Sequence, residues 1–183
     1  SVDLIRAAKQ NGVAITCGVA VHNLVLNEGA LVDFDSNYKV KPPLRASADV
    51  EALWKGLADG TIDIICSDHS PQDIESKEKE FEHAAYGMIG LESCYALLQT
   101  NNKNLSLAQL IDKLALAPRK ILQLEIPKIA EGSIANLTLF SPTEKWIFEE
   151  KNIKSKSKNT PFIGAALIGR VIGIVNKNCY LKN

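Results

Sequence analysis

Residues 61–71 read Thr-Ile-Asp-Ile-Ile-Cys-Ser-Asp-His-Ser-Pro. Ile62, Ile64 and Ile65 are β-branched and follow Gly60, a pattern that predicts a short buried strand. Asp68 stands at the C-terminal end of that run, and Pro71 stops it. A carboxylate at the end of a buried strand is costly unless it is paired or bound to metal. In a parallel α/β barrel, that end of the strand is where the chemistry is done. Asp68 is therefore either a catalytic base or metal ligand, or a helix cap in an ordinary loop; on this segment alone the cap accounts for it slightly better.

Hydrophobic spacing organises the remainder. Val2, Ile5 and Ala8 share a helical face, Ser1 can cap that helix and Asn11-Gly12 ends it. Residues 13–19 predict a strand. Residues 20–44 predict a long loop with a turn cluster at 33–37 and the Pro42-Pro43 pair; loops of this length in compact domains are usually functional. Ser47 predicts the cap of a helix over 48–57, with Val50, Leu53, Trp54 and Leu57 on a core face that carries no site. A second strand over 61–67 is followed by a polar loop over 70–84. Gly87-Met88-Ile89-Gly90 then opens a helix running to about residue 100, and short helices are expected over 105–114 and 118–124. After Gly132 the pattern alternates, predicting strands at 134–140, within 164–175 and at 179–181. The body is β-α-β-α with right-handed crossover spacing. The tail is a small β unit, with the boundary expected between residues 126 and 127.

The 183 residues are short for a complete (β/α)₈ barrel, which takes about 250 residues. A formal net charge of zero gives no reason to expect nucleic acid or an anionic membrane as partner. The basic stretch 151–158 follows Glu149 and Glu150 and contains no aromatic residue, so it reads as a solvated loop. Cys17, Cys66, Cys94 and Cys179 form no CxxC pair and read as reduced, buried small hydrophobes of a cytoplasmic protein. There is no signal peptide and no apolar run long enough to span a bilayer. The chain opens on an amphipathic stretch without an initiator Met, Met88 being its single methionine, and so reads as the inside of a longer protein.

Several motifs occur together and in order: Cys17-Gly18-Val19-Ala20-Val21-His22-Asn23-Leu24, Tyr38-Lys39-Val40-Lys41-Pro42-Pro43-Leu44-Arg45, Asp59-Gly60-Thr61-Ile62-Asp63, Ser67-Asp68-His69-Ser70-Pro71, Tyr86-Gly87-Met88-Ile89-Gly90-Leu91-Glu92, Gly132-Ser133-Ile134-Ala135-Asn136-Leu137 and Lys158-Asn159-Thr160-Pro161-Phe162. This series resembles the amidohydrolase superfamily and, more narrowly, dihydroorotases of the bacterial type. The resemblance implies a zinc-binding (β/α)₈ barrel with a flanking β domain. It places the start of the chain just after the sixth barrel strand, so that the chain supplies the last two strands and the closing helices. The family's His-x-His pair, its bridging lysine or carboxylate and its later metal histidines would lie upstream. Here the only histidines are His22, His69 and His83, so fewer than the three ligands of a catalytic zinc are at hand. The chain then reads as the C-terminal portion of a dihydroorotase, inactive by itself, from an enzyme interconverting dihydroorotate and N-carbamoyl-L-aspartate in pyrimidine synthesis.

By the same resemblance Asp68 binds metal and shuttles a proton from the attacking hydroxide to the leaving amide nitrogen. Gly87, Gly90 and Leu91 lie where the family sets backbone groups against the substrate ring. Gln72 replaces a substrate-holding histidine, and Gln can donate a hydrogen bond but carries no charge. Lys41 replaces an asparagine that contacts substrate and could pair with the substrate carboxylate. His22-Asn23 replaces a His-His pair, Val21 a proline and Asn136 an aspartate; Arg45 matches the arginine after the double proline, and His69 is either structural or functional. Two alternatives stand beside this reading: a related cyclic amidase (hydantoinase or allantoinase), and a non-catalytic dihydroorotase-like scaffold for aspartate transcarbamoylase. The open edges of a partial barrel are expected to drive self-association into a homo-oligomer.

Overall fold

The computed structural model describes residues 1–183. Helix α1 (Val2–Gln10) ends at Asn11, and Gly12 at φ +78° takes the left-handed conformation that closes it. Ser1 occupies the cap position without a side-chain cap bond. Strand β1 (Gly18–Ala20) pairs in parallel with β2 (Ile64–Cys66), Val19 opposite Ile65. Both strands are shorter than the sequence predicts, and Asp63 supplies the reason. Its carboxylate takes the Cys17 N–H at 2.8 Å and pairs with Lys9 Nζ at 2.7 Å, so a side chain stands where a ladder bond would run.

The predicted loop over 20–44 contains structure of its own. Helix α2 (Val21–Val25) buries Val21, His22 and Leu24, and 3₁₀ turns at Glu28–Leu31 and Ser36–Tyr38 are capped by Asn27 and Asp35. Helix α3 (Ser47–Ala58) buries Trp54 and Leu57, and Trp54 Nε1 donates to Leu24 O at 2.9 Å. Ser47 is the first helical residue rather than the cap; the cap position is Ala46, and Ser47 Oγ accepts from Asn27 Nδ2 at 3.2 Å.

Helix α4 (Ile74–Lys77) lies inside the polar loop, capped by Asp73. Helix α5 (Cys94–Asn101) begins later than predicted because Gly87, at φ +114°, is outside helical geometry and Met88 bridges His69 instead of entering a helix. Helix α6 (Leu107–Ile111), a π-helical turn (Asp112–Leu116) and α7 (Ala117–Ile121) form one run instead of two separate helices. Pro118 lies in α7 directly after the π-helical turn, inside this continuous run. Ser106 and Gln109 form a capping box at the start of α6. Replacing Ser106 by Ala is expected to cost about 1 kcal/mol, read as a lowered urea midpoint at unchanged slope.

The tail is an antiparallel sheet in the order β3 (Asn136–Ile147), β4 (Ala166–Asn176), β5 (Cys179–Lys182). Strand β3 runs beyond its predicted end through irregularities after Leu139 and Ser141, the latter stretch containing Pro142. Strand β4 lies against α5: Ile168 N donates to Thr100 Oγ1 at 2.8 Å, and a Cβ on Gly169 would stand 3.0 Å from the Tyr95 ring. One hydrophobic cluster runs from Val19, Trp54 and Ile65 through Leu97 and Leu98 to Phe148, Phe162 and Leu167. The basic stretch 151–158 is not wholly solvated, because Ile153 is buried in that cluster. Of the four cysteines only Cys94 is buried. Cys66 and Cys179 are exposed, Cys66 on the face of β2 opposite the buried Ile65 and Cys179 on the edge strand β5. No helix is long and apolar enough to cross a membrane.

Candidate active site at the ends of the parallel strands

Asp68 follows β2 and adopts φ +46°, a left-handed geometry that Asp tolerates better than most residues. It caps no helix, that role at α4 belonging to Asp73. Its side chain is 46% exposed, and the titratable group facing it is His22, with Nε2 at 3.8 Å from Oδ2. His22 follows β1 in the same way that Asp68 follows β2. Its side chain is 1% exposed and neither ring nitrogen has a hydrogen-bond partner. Burial lowers its pKa, with Asp68 opposing, so the neutral, metal-binding form of the ring is favoured. A buried imidazole with both nitrogens unpaired calls for a partner. The sequence carries little signal of this: His22 lies three residues beyond the predicted strand 13–19, and reading it with Asn23 as a loss from the family pattern passes over it.

The donor set decides what these residues can hold. A catalytic zinc takes three protein ligands, and no group of three His, Cys, Asp or Glu in this chain could hold a metal ion. Asp68 and His22 therefore fit part of a metal site and do not complete one.

The loops beside Asp68 are tightly interlocked. His69 Nδ1 accepts from Gly90 N at 3.1 Å and Leu91 N at 3.3 Å, so a neutral His69 carries its proton on Nε2. His69 bridges Met88, and Ser70 N donates to Met88 O at 2.9 Å. A Cβ on Gly90 would lie 2.5 Å from Ser67 O, and one on Gly87 would lie 2.4 Å from Ser70 Oγ. Close backbone approach thus requires glycine at both positions, and Gly87 serves no helix start. Gln72 Nε2 donates to Ser70 Oγ at 3.3 Å.

Asp68 and Lys41 line one cleft of about 720 Å³, together with Gly18, Ala20, Asn23, Pro43 and Arg45. Leu53 also lines it, although the sequence assigns that residue to the core alone. Gln72, Gly87, Gly90 and Leu91 lie outside this lining, on the loops tied to Asp68 through His69 and Ser70. Arg45 is exposed and faces Asp49 at 3.5 Å.

Two buried lysines that the sequence does not single out hold these loops from behind. Lys39 Nζ donates to Glu82 O and Ala84 O and lies 4.6 Å from the Tyr86 ring centroid. Lys77 Nζ donates to Ser36 O, Ala85 O and Gly87 O. Burial pushes the Lys77 ammonium down to about 8; Asp35 opposes this and Lys39 adds to it. Between that value and the ordinary 10.5, the unfolded chain holds a proton that the folded chain has released. The cost of burying the charge is therefore relieved and stability rises with pH through that window. Lys77→Met is expected to flatten this rise, measured as urea midpoints below and above pH 8 for both proteins.

A parallel crossover whose strand ends bring together a carboxylate and a buried imidazole marks the class: part of an α/β barrel with its chemistry at the C-terminal ends of the strands. The chain belongs to the amidohydrolase family, whose profile matches residues 1–173. It is 41% identical over 186 residues to a dihydroorotase of Acetivibrio thermocellus, covering 100% of this chain and 44% of that protein. It is 42% identical over 174 residues to one of Clostridioides difficile, covering 93% and 41%. Among solved structures, an L-hydantoinase (dihydropyrimidinase) from Arthrobacter aurescens superposes with a TM-score of 0.90 at 26% identity, over 100% of this chain and 42% of that one. An inactive dihydroorotase-like domain of a Chaetomium thermophilum CAD-like multifunctional protein shares the fold at a TM-score of 0.69 and 21% identity, over 98% and 47%. The chain thus spans less than half the length of these relatives. Its fold is that of the C-terminal part of a (β/α)₈ amidohydrolase barrel with a small β unit formed by the tail.

Proposed function

We propose that these residues are the C-terminal portion of a cytoplasmic dihydroorotase, which interconverts dihydroorotate and N-carbamoyl-L-aspartate and is inactive as this portion alone. Residues 1–126 are assigned to the barrel and 127–183 to the small β domain. The observation that carries the reaction class is the convergence of Asp68 on the unpartnered His22 at the ends of two parallel strands. Identity of 41% and 42% to dihydroorotases, against 26% to a hydantoinase, favours dihydroorotate over other cyclic amides. Asp68 is the zinc donor that the family resemblance assigns. His22 is a further donor proposed from its unpartnered ring beside Asp68, one that the resemblance, with its metal histidines upstream, does not name, and the remaining donors lie outside these residues. The Asp68 carboxylate, half exposed and free of hydrogen bonds, is placed to carry a proton between water and the leaving amide nitrogen. Lys41 offers a cation to the substrate carboxylate, Gly87, Gly90 and Leu91 set their backbone against the ring, and Gln72 supplies an uncharged hydrogen bond.

A second reading, a non-catalytic scaffold for aspartate transcarbamoylase, is favoured by Gln72, which removes a charge from the substrate site. Turnover by the full-length protein separates the readings. A kcat/KM for dihydroorotate at least about tenfold above that for hydantoin is expected. Preference for hydantoin would transfer the assignment to the hydantoinase and allantoinase group, and absence of turnover with either substrate would support the scaffold.

A further inference from the structure

We propose that Asn159, in the tail, is a positioning residue for the loops that receive substrate. Its effect on kinetics rests on the dihydroorotase reading, while its effect on the loops does not. Asn159 is 6% exposed and makes its bonds to two separate loops. Nδ2 donates to Ser70 O at 3.0 Å and to Gly87 O at 3.2 Å, while Oδ1 accepts from Gln72 N at 3.2 Å. Its backbone carbonyl accepts from Ile89 N at 3.0 Å. One residue thereby fixes the loop after β2 and the segment 87–89 relative to each other. Both loops carry proposed substrate-binding groups: Gln72 on the first, Gly87, Gly90 and Leu91 on or beside the second.

The clamp has a second anchor. Glu92 Oε1 accepts from Lys154 N at 3.1 Å and Ser155 N at 2.7 Å, tying the tail just before Asn159 to the start of the helix after the second loop. Gly87 is pinned from the other side as well, its N–H donating to Lys39 O at 2.8 Å and its carbonyl accepting from Lys77 Nζ at 3.1 Å. Only a side-chain amide matches this set of partners, since two donors face two carbonyls and one acceptor faces an N–H. An aspartate would keep the acceptor for Gln72 N but turn an anionic oxygen onto the carbonyls of Ser70 and Gly87. Asp68 is outside this clamp, because it sits at the end of β2 and makes no bond to Asn159. Loss of the amide should therefore loosen substrate binding more than it slows the chemical step.

The test uses Asn159→Asp and Asn159→Ser in the full-length protein, with steady-state kinetics on dihydroorotate and amide hydrogen exchange at residues 70, 72 and 87–91. The expected result is a KM raised about tenfold with kcat within about threefold, the scale of one lost buried hydrogen bond. Faster exchange confined to those two loops should accompany it. Exchange unchanged in both loops, or a lowered melting temperature with KM at the wild-type value, would overturn the proposal. Should the Asp variant not fold, the Ser variant, which introduces no charge, decides the question. A wild-type protein that does not turn over dihydroorotate would refute the functional reading, and the exchange measurement would still decide the clamp.

Discussion

Asp68→Asn in the full-length protein is expected to lower kcat for dihydroorotate by about a thousandfold, within the range that a positioned acid or base supplies. The substitution isolates chemistry from folding. The carboxylate accepts no hydrogen bond, is 46% exposed and lies 3.8 Å from the neutral His22 ring, so little stability depends on it. Asparagine also tolerates the left-handed conformation at φ +46° as well as aspartate does. The urea midpoint of the metal-free variant should therefore stay near that of the metal-free wild type, while turnover collapses and metal content falls. A variant retaining a tenth or more of wild-type kcat would remove Asp68 from the reaction.

Gly90→Ala is expected to lower kcat/KM by about a hundredfold, the scale of a displacement near 1 Å at a reacting group. The new methyl would stand 2.5 Å from Ser67 O, a backbone atom with no rotamer to change, so the peptide leading into Asp68 must move. The same shift disturbs the Gly90 N–H bond to His69, the ring next to Asp68. Gly132→Ala is the matched control. Gly132 has φ +79° but open space around it, so the change costs backbone strain of about 1 kcal/mol and leaves kcat/KM unchanged. Equal effects from the two substitutions would show that glycine at position 90 serves the backbone and not the site.

Helices α1 and α3 are legible in the sequence because their apolar residues recur at helical spacing and Gly12 and Gly60 punctuate their ends. Strands β1 and β2 are legible in place but not in extent. Nothing in an alternating pattern announces that the Asp63 side chain will take the Cys17 N–H. The start of α5 is misread because the glycines at 87 and 90 resemble a helix opening, whereas close contacts with Ser70 and Ser67 are what require them. Asp68 stands out since a charge after an isoleucine run is costly without a purpose. His22 does not, because its significance lies in burial and in its distance from Asp68, and neither is written in local spacing. Lys77 is invisible for a related reason, and Asn159, though part of a quoted motif, shows no role there: their hydrogen bonds reach residues 41 and 89 positions away.

Calorimetric titration of zinc into this 183-residue chain and into the full-length protein asks directly whether Asp68 and His22 form one part of a metal site completed elsewhere. The expected result is stoichiometric, tight binding to the full-length protein, weakened by Asp68→Asn and by His22→Ala, with no tight binding to the chain alone. Tight stoichiometric binding by the chain alone, or full-length binding indifferent to both substitutions, would contradict it.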